Sequence, residues 1–241
     1  MVTLPETAWG TGDRRALLLH GINGDAGVWW RIGQRLADSG WTATAVDLRG
    51  HGTAPRTADY RLADYVDDLP GSGWDLVIGH SLGAAIGVVA ATRRGFARRL
   101  VLLDPVLRIE DDAHDAIHRE QADELSDTLE SIRAARPLWH PTDVERKVAA
   151  SRLADAGMIE GTFTQNRPWD ILAEARTLTI PTLVIGADLG VGSTFPIAHE
   201  RDIPATTVRI EGAGHSPHRD RPEATIAALE RWLTSEGVVP L

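Results

Sequence analysis

Short apolar runs alternate with stretches of helical spacing along most of this chain, and this alternation constrains the fold more than any other feature of the sequence. Six runs have the composition of buried strands, and they begin at Arg15, Trp41, Trp74, Arg99, Pro181 and Thr206. Continuous apolar strands that are separated by helices are buried on both faces and pair in parallel through right-handed crossovers. The chain is therefore predicted to be an α/β protein with a doubly wound, mostly parallel sheet.

The interval from residue 105 to residue 178 breaks this alternation, because it has helical patterns and no convincing strand. We predict that it is a helical cap, inserted after the strand that ends at Asp104 and lying over the carboxyl edge of the sheet. Residues 1–104 and 179–241 then form the core. Doubly wound sheets bind ligands beyond the carboxyl ends of their strands, so we expect the ligand site between this edge and the cap.

Composition narrows the classes of function. The 241 residues include no cysteine, which excludes thiol catalysis and cysteine-based metal sites. The formal net charge of -9 argues against a nucleic acid or an anionic membrane as partner, since both attract basic surfaces. No apolar stretch approaches the roughly 20 residues that cross a bilayer, and the first residues lack the basic start and apolar run of a signal peptide. We therefore expect a cytoplasmic protein that acts on a small molecule, and we leave a homodimer open.

The segment Gly79-His80-Ser81-Leu82-Gly83 has the pattern G-x-S-x-G. It follows the apolar run WDLVIG and precedes the small-residue stretch AAIGVVA, which is the strand–turn–helix setting that a nucleophile elbow needs. The glycines allow the tight turn, and the serine hydroxyl comes to lie at a helix N-terminus, where a developing negative charge is favoured. This pattern predicts that Ser81 is a catalytic nucleophile.

A neutral serine hydroxyl needs a base within hydrogen-bond reach and a carboxylate that orients the base. His215 is the predicted base, because it lies in Gly-Ala-Gly-His-Ser-Pro directly after the sixth strand. His218 is the alternative base and is expected to be a solvated loop residue. Asp188 follows the fifth strand and is the preferred acid, since chain order and edge position both suit it. Asp104 follows the fourth strand at the same edge and is the alternative acid, although an aspartate before proline is also typical of a turn.

An acyl-transfer site also needs two hydrogen-bond donors for the oxygen of the tetrahedral intermediate. We predict that one is the backbone N–H of Leu82, directly after the nucleophile. The other is expected from the loop after the first strand, at the backbone N–H of Ile22, where Gly21 and Gly24 let the backbone approach closely. His20 is expected to hold this loop through hydrogen bonds.

Two features of the predicted cap concern metal binding and substrate binding. His114 and His118 are four residues apart on a predicted helix with aspartates nearby, which is compatible with a metal site but is more typical of a solvated acidic helix, so no metal is predicted. Trp139 and Trp169 are the predicted substrate-binding residues, because large aromatic side chains in a cap can line an apolar pocket.

The chain resembles the α/β-hydrolase fold-1 family of esterases, lactonases, C–C bond hydrolases and cofactor-free haloperoxidases. The resemblance extends over nearly the whole chain and rests on the segments LLLHGINGD, VDLRGHG, VIGHSLGAA, LVLLDP, PTLVIGAD and GAGHSPHRDRPE. It implies the α/β-hydrolase fold, with the nucleophile at Ser81, the histidine at His215 and the oxyanion donors at Ile22 and Leu82. The sequence departs from the family in two places: the residues before Arg15 leave room for at most one strand, and the acid loop is shorter than its common form.

Together these residues predict a serine hydrolase without a cofactor. Ser81 attacks the carbonyl carbon of a carboxylic ester, lactone or thioester, His215 takes its proton, and water clears the resulting acyl-enzyme. The expected substrate is a small or medium apolar ester or lactone, because part of the cap is apolar. A C–C bond hydrolase or a lyase-type enzyme acting on a metabolite is the alternative, since the same triad serves both. A non-catalytic ligand receptor on the same fold is a second alternative.

Overall fold

The computed structural model describes residues 1–238, and within them it contains one seven-stranded sheet. The spatial order of the strands is β1-β3-β2-β4-β5-β6-β7; β1 pairs antiparallel with β3, and the remaining pairs are parallel. The predicted doubly wound, mostly parallel sheet is thereby confirmed. The strands are Glu6–Trp9 (β1), Arg14–Leu19 (β2), Trp41–Val46 (β3), Leu76–His80 (β4), Leu100–Leu103 (β5), Thr182–Gly186 (β6) and Thr206–Arg209 (β7).

Helices cover both faces of this sheet. In chain order they are Trp30–Asp38 (α1), Leu62–Asp68 (α2), Leu82–Ala91 (α3), Asp111–Asp123 (α4), Leu129–Ala135 (α5), Pro141–Leu153 (α6), Ala156–Gln165 (α7), Leu172–Arg176 (α8), Ile197–Glu200 (α9), Pro217–Asp220 (α10) and Pro222–Ser235 (α11). Within the described residues, no helix is both long enough and apolar enough to span a membrane.

The two faces of β2 show why the predicted strands are continuous apolar runs. Leu17 and Leu19 belong to the hydrophobic cluster that includes side chains of α2, α3 and α8, whereas Ala16 and Leu18 belong to the cluster that includes α1 and α11. Successive side chains of a strand point to opposite faces, so a strand covered on both sides needs an apolar residue at every position.

The strand order places one crevice at the carboxyl edge. The chain passes from β2 outward to β3, then crosses back to β4 on the other side of β2. The loops after the neighbouring strands β2 and β4 therefore leave the sheet in opposite directions, and this topological switch point is where doubly wound sheets bind ligands.

The interval predicted as a cap contributes no strand to the sheet and contains five helices, α4 to α8. These helices lie between β5 and β6 in the chain, and we use "cap" for residues 105–178, although α8 packs against α3 on one face of the sheet and has no residue in the cavity wall described below. A cavity of about 840 Å³ lies between the cap and the carboxyl edge, with walls from both. The cap thus forms one wall of the crevice that the strand order creates.

Candidate active site

Ser81 occupies the sharp turn between β4, which ends at His80, and α3, which begins at Leu82. Its backbone has a φ of 52° and a ψ of -115°, and its side chain is almost fully buried at the cavity wall. A Cβ atom at Gly79 would collide with the carbonyl of Gly83, and a Cβ atom at Gly83 would collide with the carbonyl of Leu19. Glycine is therefore required at both positions for the turn to pack between strand and helix.

Backbone strain is concentrated at this edge of the sheet. In residues 1–238, three non-glycine residues have a positive φ: Asn23 at 56°, Ser81 at 52° and Asp104 at 37°. They follow β2, β4 and β5 respectively. Such conformations cost about 1–3 kcal/mol each and persist where the surrounding structure enforces them, which is typical of functional sites.

Three side chains form a continuous hydrogen-bonded chain at the cavity. His215 Nε2 lies 2.9 Å from Ser81 Oγ, and His215 Nδ1 lies 2.7 Å from Asp104 Oδ2. A carboxylate only accepts hydrogen bonds, so Nδ1 donates its proton to Asp104, and Nε2 is then the acceptor for the hydroxyl of Ser81. The predicted nucleophile and base are thus brought together, with the alternative acid behind them.

Asp104 is fully buried, and several hydrogen-bond donors surround its carboxylate. Oδ1 accepts from the N–H of Ala187 at 3.0 Å and from the hydroxyl of Ser193 at 2.5 Å. Oδ2 accepts from the N–H and the hydroxyl of Thr194 at 2.8 and 2.9 Å, besides His215. Burial alone raises the pKa of this carboxyl, but the hydrogen bond and charge of His215 and the other donors outweigh it and hold the pKa well below its ordinary value.

The prediction that Asp188 is the acid is wrong. Asp188 is partly exposed, and its two carboxylate oxygens accept from the backbone N–H groups of Gly190 and Gly212, each at 2.8 Å. These contacts close the loop after β6 against the loop after β7, and they turn the carboxylate away from His215. The contact with His215 comes instead from Asp104, whose left-handed backbone directs its side chain beneath the imidazole.

The loop after β2 passes directly over the nucleophile. A Cβ atom at Gly21 would lie 3.2 Å from the Cβ of Ser81, so Gly21 permits this approach. His20 holds the loop as predicted: its Nε2 accepts from the N–H of Leu48 at 3.0 Å, and its Nδ1 lies 2.7 Å from the carbonyl of Gly21. Ile22 and Leu82 both line the cavity beside Ser81. Leu82 is the first residue of α3, and an N–H at that position has no acceptor within its own helix.

Asn23 connects this loop to the cap. Its Nδ2 donates to the carbonyl of Gln121 at 2.8 Å and to Oε2 of Glu124 at 3.2 Å. Glu124 in turn forms an ion pair with Lys147, whose Nζ lies 2.5 Å from the same oxygen. The position of the loop after β2 therefore depends on residues of the cap, a connection that the sequence did not reveal.

The prediction that His218 is solvated is also wrong. Pro217 begins the short helix α10, which turns the ring of His218 inward, where it stacks on Trp29 with ring centroids 5.2 Å apart. Neither ring nitrogen has a hydrogen-bond partner among the residues described, and burial lowers the pKa of His218 well below its ordinary value. A neutral, enclosed imidazole of this kind is not available as the base for Ser81.

Sequence reasoning also missed the role of His80. Its Nε2 lies 2.8 Å from the carbonyl of His215 and donates to it, since a carbonyl only accepts. Burial is the main cause of a pKa well below the ordinary value, so this ring is neutral. His80 therefore fixes the backbone of the base. The position of His80 directly before the nucleophile is the sequence feature that could have indicated this role.

The cap contributes both aromatic and charged walls to the cavity. Trp139 and Trp169, the predicted substrate-binding residues, both line it. His114 and His118 instead contact the ring of Phe163, with centroids 5.5 and 5.0 Å away. No group of three or more potential metal ligands lies close together anywhere in residues 1–238.

Known proteins resemble this chain in sequence and in fold. A model of the alpha/beta hydrolase family matches residues 16–228 of the chain. The 2-(acetamidomethylene)succinate hydrolase of Mesorhizobium japonicum is 28% identical to it, over 90% of this chain and 87% of that protein. A 2-succinyl-6-hydroxy-2,4-cyclohexadiene-1-carboxylate synthase of Escherichia coli O1:K1 is 26% identical, over 90% and 92%. A crystal structure of an E-2-(acetamidomethylene)succinate hydrolase superposes with a TM-score of 0.83 at 25% identity, covering 97% of this chain and 96% of that one.

Proposed function

The chain belongs to the alpha/beta hydrolase family, and on that premise we propose that it is a serine hydrolase that cleaves a carboxylic ester, lactone or thioester through an acyl-enzyme on Ser81. The observation that carries this proposal is the chain of hydrogen bonds from Ser81 Oγ through His215 to Asp104, at 2.9 and 2.7 Å, in the wall of a cavity between the sheet edge and the cap. This arrangement has the parts that acyl transfer needs: a nucleophile, its base and an orienting carboxylate.

The first half-reaction begins when the substrate carbonyl enters the cavity above Ser81. His215 Nε2 accepts the hydroxyl proton while Oγ attacks the carbonyl carbon, which forms a tetrahedral intermediate with a negatively charged oxygen. The backbone N–H groups of Leu82 and Ile22 donate to that oxygen in this proposal, and the N-terminus of α3 favours the same charge. The protonated imidazole then gives its proton to the leaving group, and the acyl-enzyme remains.

Asp104 orients His215 for these proton transfers. Because its pKa is held low, it is an anion at neutral pH, so it fixes the Nδ1–H tautomer of His215 and stabilises the imidazolium that forms after proton transfer. In the second half-reaction water takes the place of the leaving group, His215 accepts a proton from it, and the hydroxide attacks the acyl carbon. The acid is released and Ser81 Oγ recovers its proton from His215.

The cavity supports a small or medium-sized substrate. Its volume of about 840 Å³ lies within the range of small-molecule sites. In our proposal Trp139 and Trp169 are the aromatic walls that contact the substrate. Charged side chains also line the cavity, so it can hold polar or charged substrates as well as an apolar ester.

The test is a panel of p-nitrophenyl esters and lactones assayed on the wild-type protein and on Ser81→Ala. We expect Ser81→Ala to reduce kcat by about 10⁵–10⁶-fold, because the nucleophile and its partners act as a unit. Labelling of the wild type, but not of Ser81→Ala, by a fluorophosphonate reports the reactive serine independently of substrate choice. Wild-type protein that neither reacts with the probe nor hydrolyses any ester would contradict the proposal and favour a receptor.

A second candidate is a lyase-type or C–C bond-cleaving activity on the same triad. It is favoured by the similarity to the Escherichia coli synthase over nine-tenths of the chain. In this case His215 still acts as the base, but the proton it removes comes from the substrate carbon or from water. Fluorophosphonate labelling of Ser81 combined with turnover of a diketone and none of simple esters would select this candidate.

A further inference from the structure

Arg219 places an unpaired guanidinium in the wall of the candidate active site. It lies in α10, four residues after His215, and only 6% of its surface is exposed. The residue lines the same cavity as Ser81 and His215. Within residues 1–238, the guanidinium has no hydrogen bond and no carboxylate oxygen within 4 Å, and its Nε is buried without a partner.

The nearest acidic residue in sequence, Asp220, is engaged by other donors. Its Oδ1 accepts from the indole N–H of Trp139 at 2.8 Å, and its Oδ2 accepts from the N–H of Gly214 at 2.8 Å. The guanidinium of Arg219 instead lies over the ring of Trp139, with 4.6 Å between its central carbon and the ring centroid. Trp139 therefore fixes the position of Arg219 without neutralising its charge.

Of the other three acidic residues whose charge reaches Arg219, two already have cationic partners, and Asp25 accepts a hydrogen bond from the backbone N–H of Gly27. Asp143 pairs with Arg31 at 3.3 Å, and Glu124 pairs with Lys147 at 2.5 Å. Burial lowers the pKa of Arg219 below its ordinary value, although these acids act in the opposite direction. Arginine nevertheless stays protonated in proteins, so the cavity wall contains a buried positive charge that has no direct ion pair among the described residues.

The charge of Arg219 acts at the reacting end of the cavity. It contributes to the lowered pKa of His80, the residue directly before Ser81, and to that of His20, directly before the loop that passes over Ser81. It also contributes to the lowered pKa of Lys147, a second cation of the cavity wall. The guanidinium therefore belongs to the wall of the same cavity as Ser81 and His215.

From this geometry we propose that Arg219 binds a carboxylate of the substrate, so that the molecule Ser81 attacks is an anionic ester, lactone or thioester whose carboxylate lies a few bonds from the scissile carbonyl. The proposal rests on the proposed hydrolase function and names its substrate class. The planar guanidinium matches a carboxylate through two parallel hydrogen bonds. A buried, otherwise costly charge then gains its partner when the substrate binds.

The experiment compares matched anionic and neutral substrates. The anionic set consists of the mono-p-nitrophenyl esters of glutaric, adipic, pimelic and suberic acid, and the neutral set consists of the same esters with the second carboxyl methylated. Hydrolysis without protein is subtracted for each compound. The wild type is expected to have a kcat/KM at least about tenfold higher for the anionic member of the best-fitting pair.

Three variants separate the charge of Arg219 from its geometry and from general electrostatics. Arg219→Gln should lower kcat/KM about 100-fold for the preferred anionic ester and leave its methylated match within about threefold. Arg219→Lys should recover only part of the preference for the anionic ester, because lysine keeps the positive charge but lacks the paired N–H donors of the planar guanidinium. Arg94→Gln is the matched control, since Arg94 is exposed outside the cavity and should leave both substrates unchanged.

Stability separates a ligand-binding role from a structural one. Arg219→Met removes an unpaired buried charge and keeps the length of the side chain, so its free energy of unfolding should be no lower than that of the wild type. A large loss of stability in both Arg219→Met and Arg219→Gln would mean that the guanidinium holds the fold, and the proposal would be overturned.

A binding measurement keeps the proposal testable if no ester in the panel is turned over. In the Ser81→Ala background, calorimetry with monomethyl glutarate is expected to give a Kd at least about tenfold lower than in the double variant with Arg219→Gln, whereas dimethyl glutarate should not distinguish the two. Equal anionic and neutral kcat/KM values, unchanged by Arg219→Gln, would overturn the carboxylate site while leaving the serine hydrolase intact. Loss of fluorophosphonate labelling in the wild type would contradict the hydrolase instead.

Discussion

The neighbouring strands β5 and β6 both end beside an aspartate, yet the two carboxylates have different surroundings. Asp104, after β5, is fully buried and accepts hydrogen bonds from the loop after β6 as well as from His215. Asp188, after β6, is partly exposed and accepts two backbone N–H groups from its own and the adjacent loop. The loop after β6 therefore holds the acid in place here, and does not supply it.

The difference shows that position at a strand end does not define a triad acid. Both aspartates lie at the carboxyl edge and between serine and histidine in the chain, so both satisfy the topological requirement. What distinguishes them is the number and direction of the hydrogen-bond donors around each carboxylate, because these donors determine its pKa and its orientation. The contrast between the two residues can be tested directly.

The largest expected effect is on catalysis by Asp104→Asn. Replacing the carboxylate by an amide removes the group that fixes the tautomer of His215, and kcat on the best ester of the panel should fall about 10⁴-fold. Asp188→Asn is the matched variant and should retain kcat within about threefold. Circular dichroism spectra of both variants control for folding. A greater loss of kcat in Asp188→Asn than in Asp104→Asn would reverse the assignment.

The second effect is on the pH dependence of stability. The pKa of Asp104 in the folded state lies below the ordinary value of 3.8, so its ionised form contributes stability that is fully present above pH 3.8 and is lost as the pH falls through the folded pKa. The contribution is of the order of 2 kcal/mol. The difference in free energy of unfolding between the wild type and Asp104→Asn, measured by urea titration, should therefore shrink between about pH 5 and about pH 2. A difference that stays constant over this range would show that Asp104 is not held as an anion.

A smaller effect is expected from the donors around Asp104. Thr194→Val removes a hydroxyl that donates to Oδ2 and keeps the backbone N–H, so the pKa of Asp104 should rise and kcat should fall about tenfold. Thr179→Val is the control, because Thr179 is exposed and lies outside the cavity. Equal kcat values for the two valine variants would show that the hydroxyl of Thr194 does not help to hold the acid.

The smallest effect is expected from Asp188→Ala. This substitution removes the acceptor of two backbone N–H groups, so it should lower the melting temperature slightly while kcat and KM stay within about twofold of the wild type. Thermal unfolding and steady-state kinetics on one ester measure both. A loss of kcat without any loss of thermal stability would point to a catalytic role that the structure does not support.

Much of the fold is predictable because the sheet is covered on both faces. Each of the six apolar runs forms a strand, with ends that differ by at most two residues; the third run begins at Trp74, whereas its strand, β4, begins at Leu76. The remaining strand, β1, is an edge strand with largely exposed side chains, so its composition gives little signal beyond the room for one strand before Arg15.

The candidate site is predictable only in its local parts. Ser81 is identified from five consecutive residues, because the elbow needs a strand, two glycines and a helix that all adjoin it in the chain. His218 shows where this reasoning fails: its neighbours in sequence are polar, but Pro217 starts a helical turn that packs the ring against Trp29 from a distant segment. Burial of that kind depends on contacts that the local pattern does not contain.

The sequence by itself determined the doubly wound sheet, the nucleophile elbow at Ser81 and the position of His215 after the last strand, because each follows from short-range periodicity and turn chemistry. The tertiary structure decided which carboxylate meets His215 and which charge faces the cavity. Asp104 and His215 are separated by 111 residues, and whether they touch depends on the adjacency of strands and on the backbone angle of a single residue. Arg219 is likewise an ordinary charged residue in the sequence, and only packing leaves its guanidinium buried in the cavity wall without a direct ion pair among the described residues.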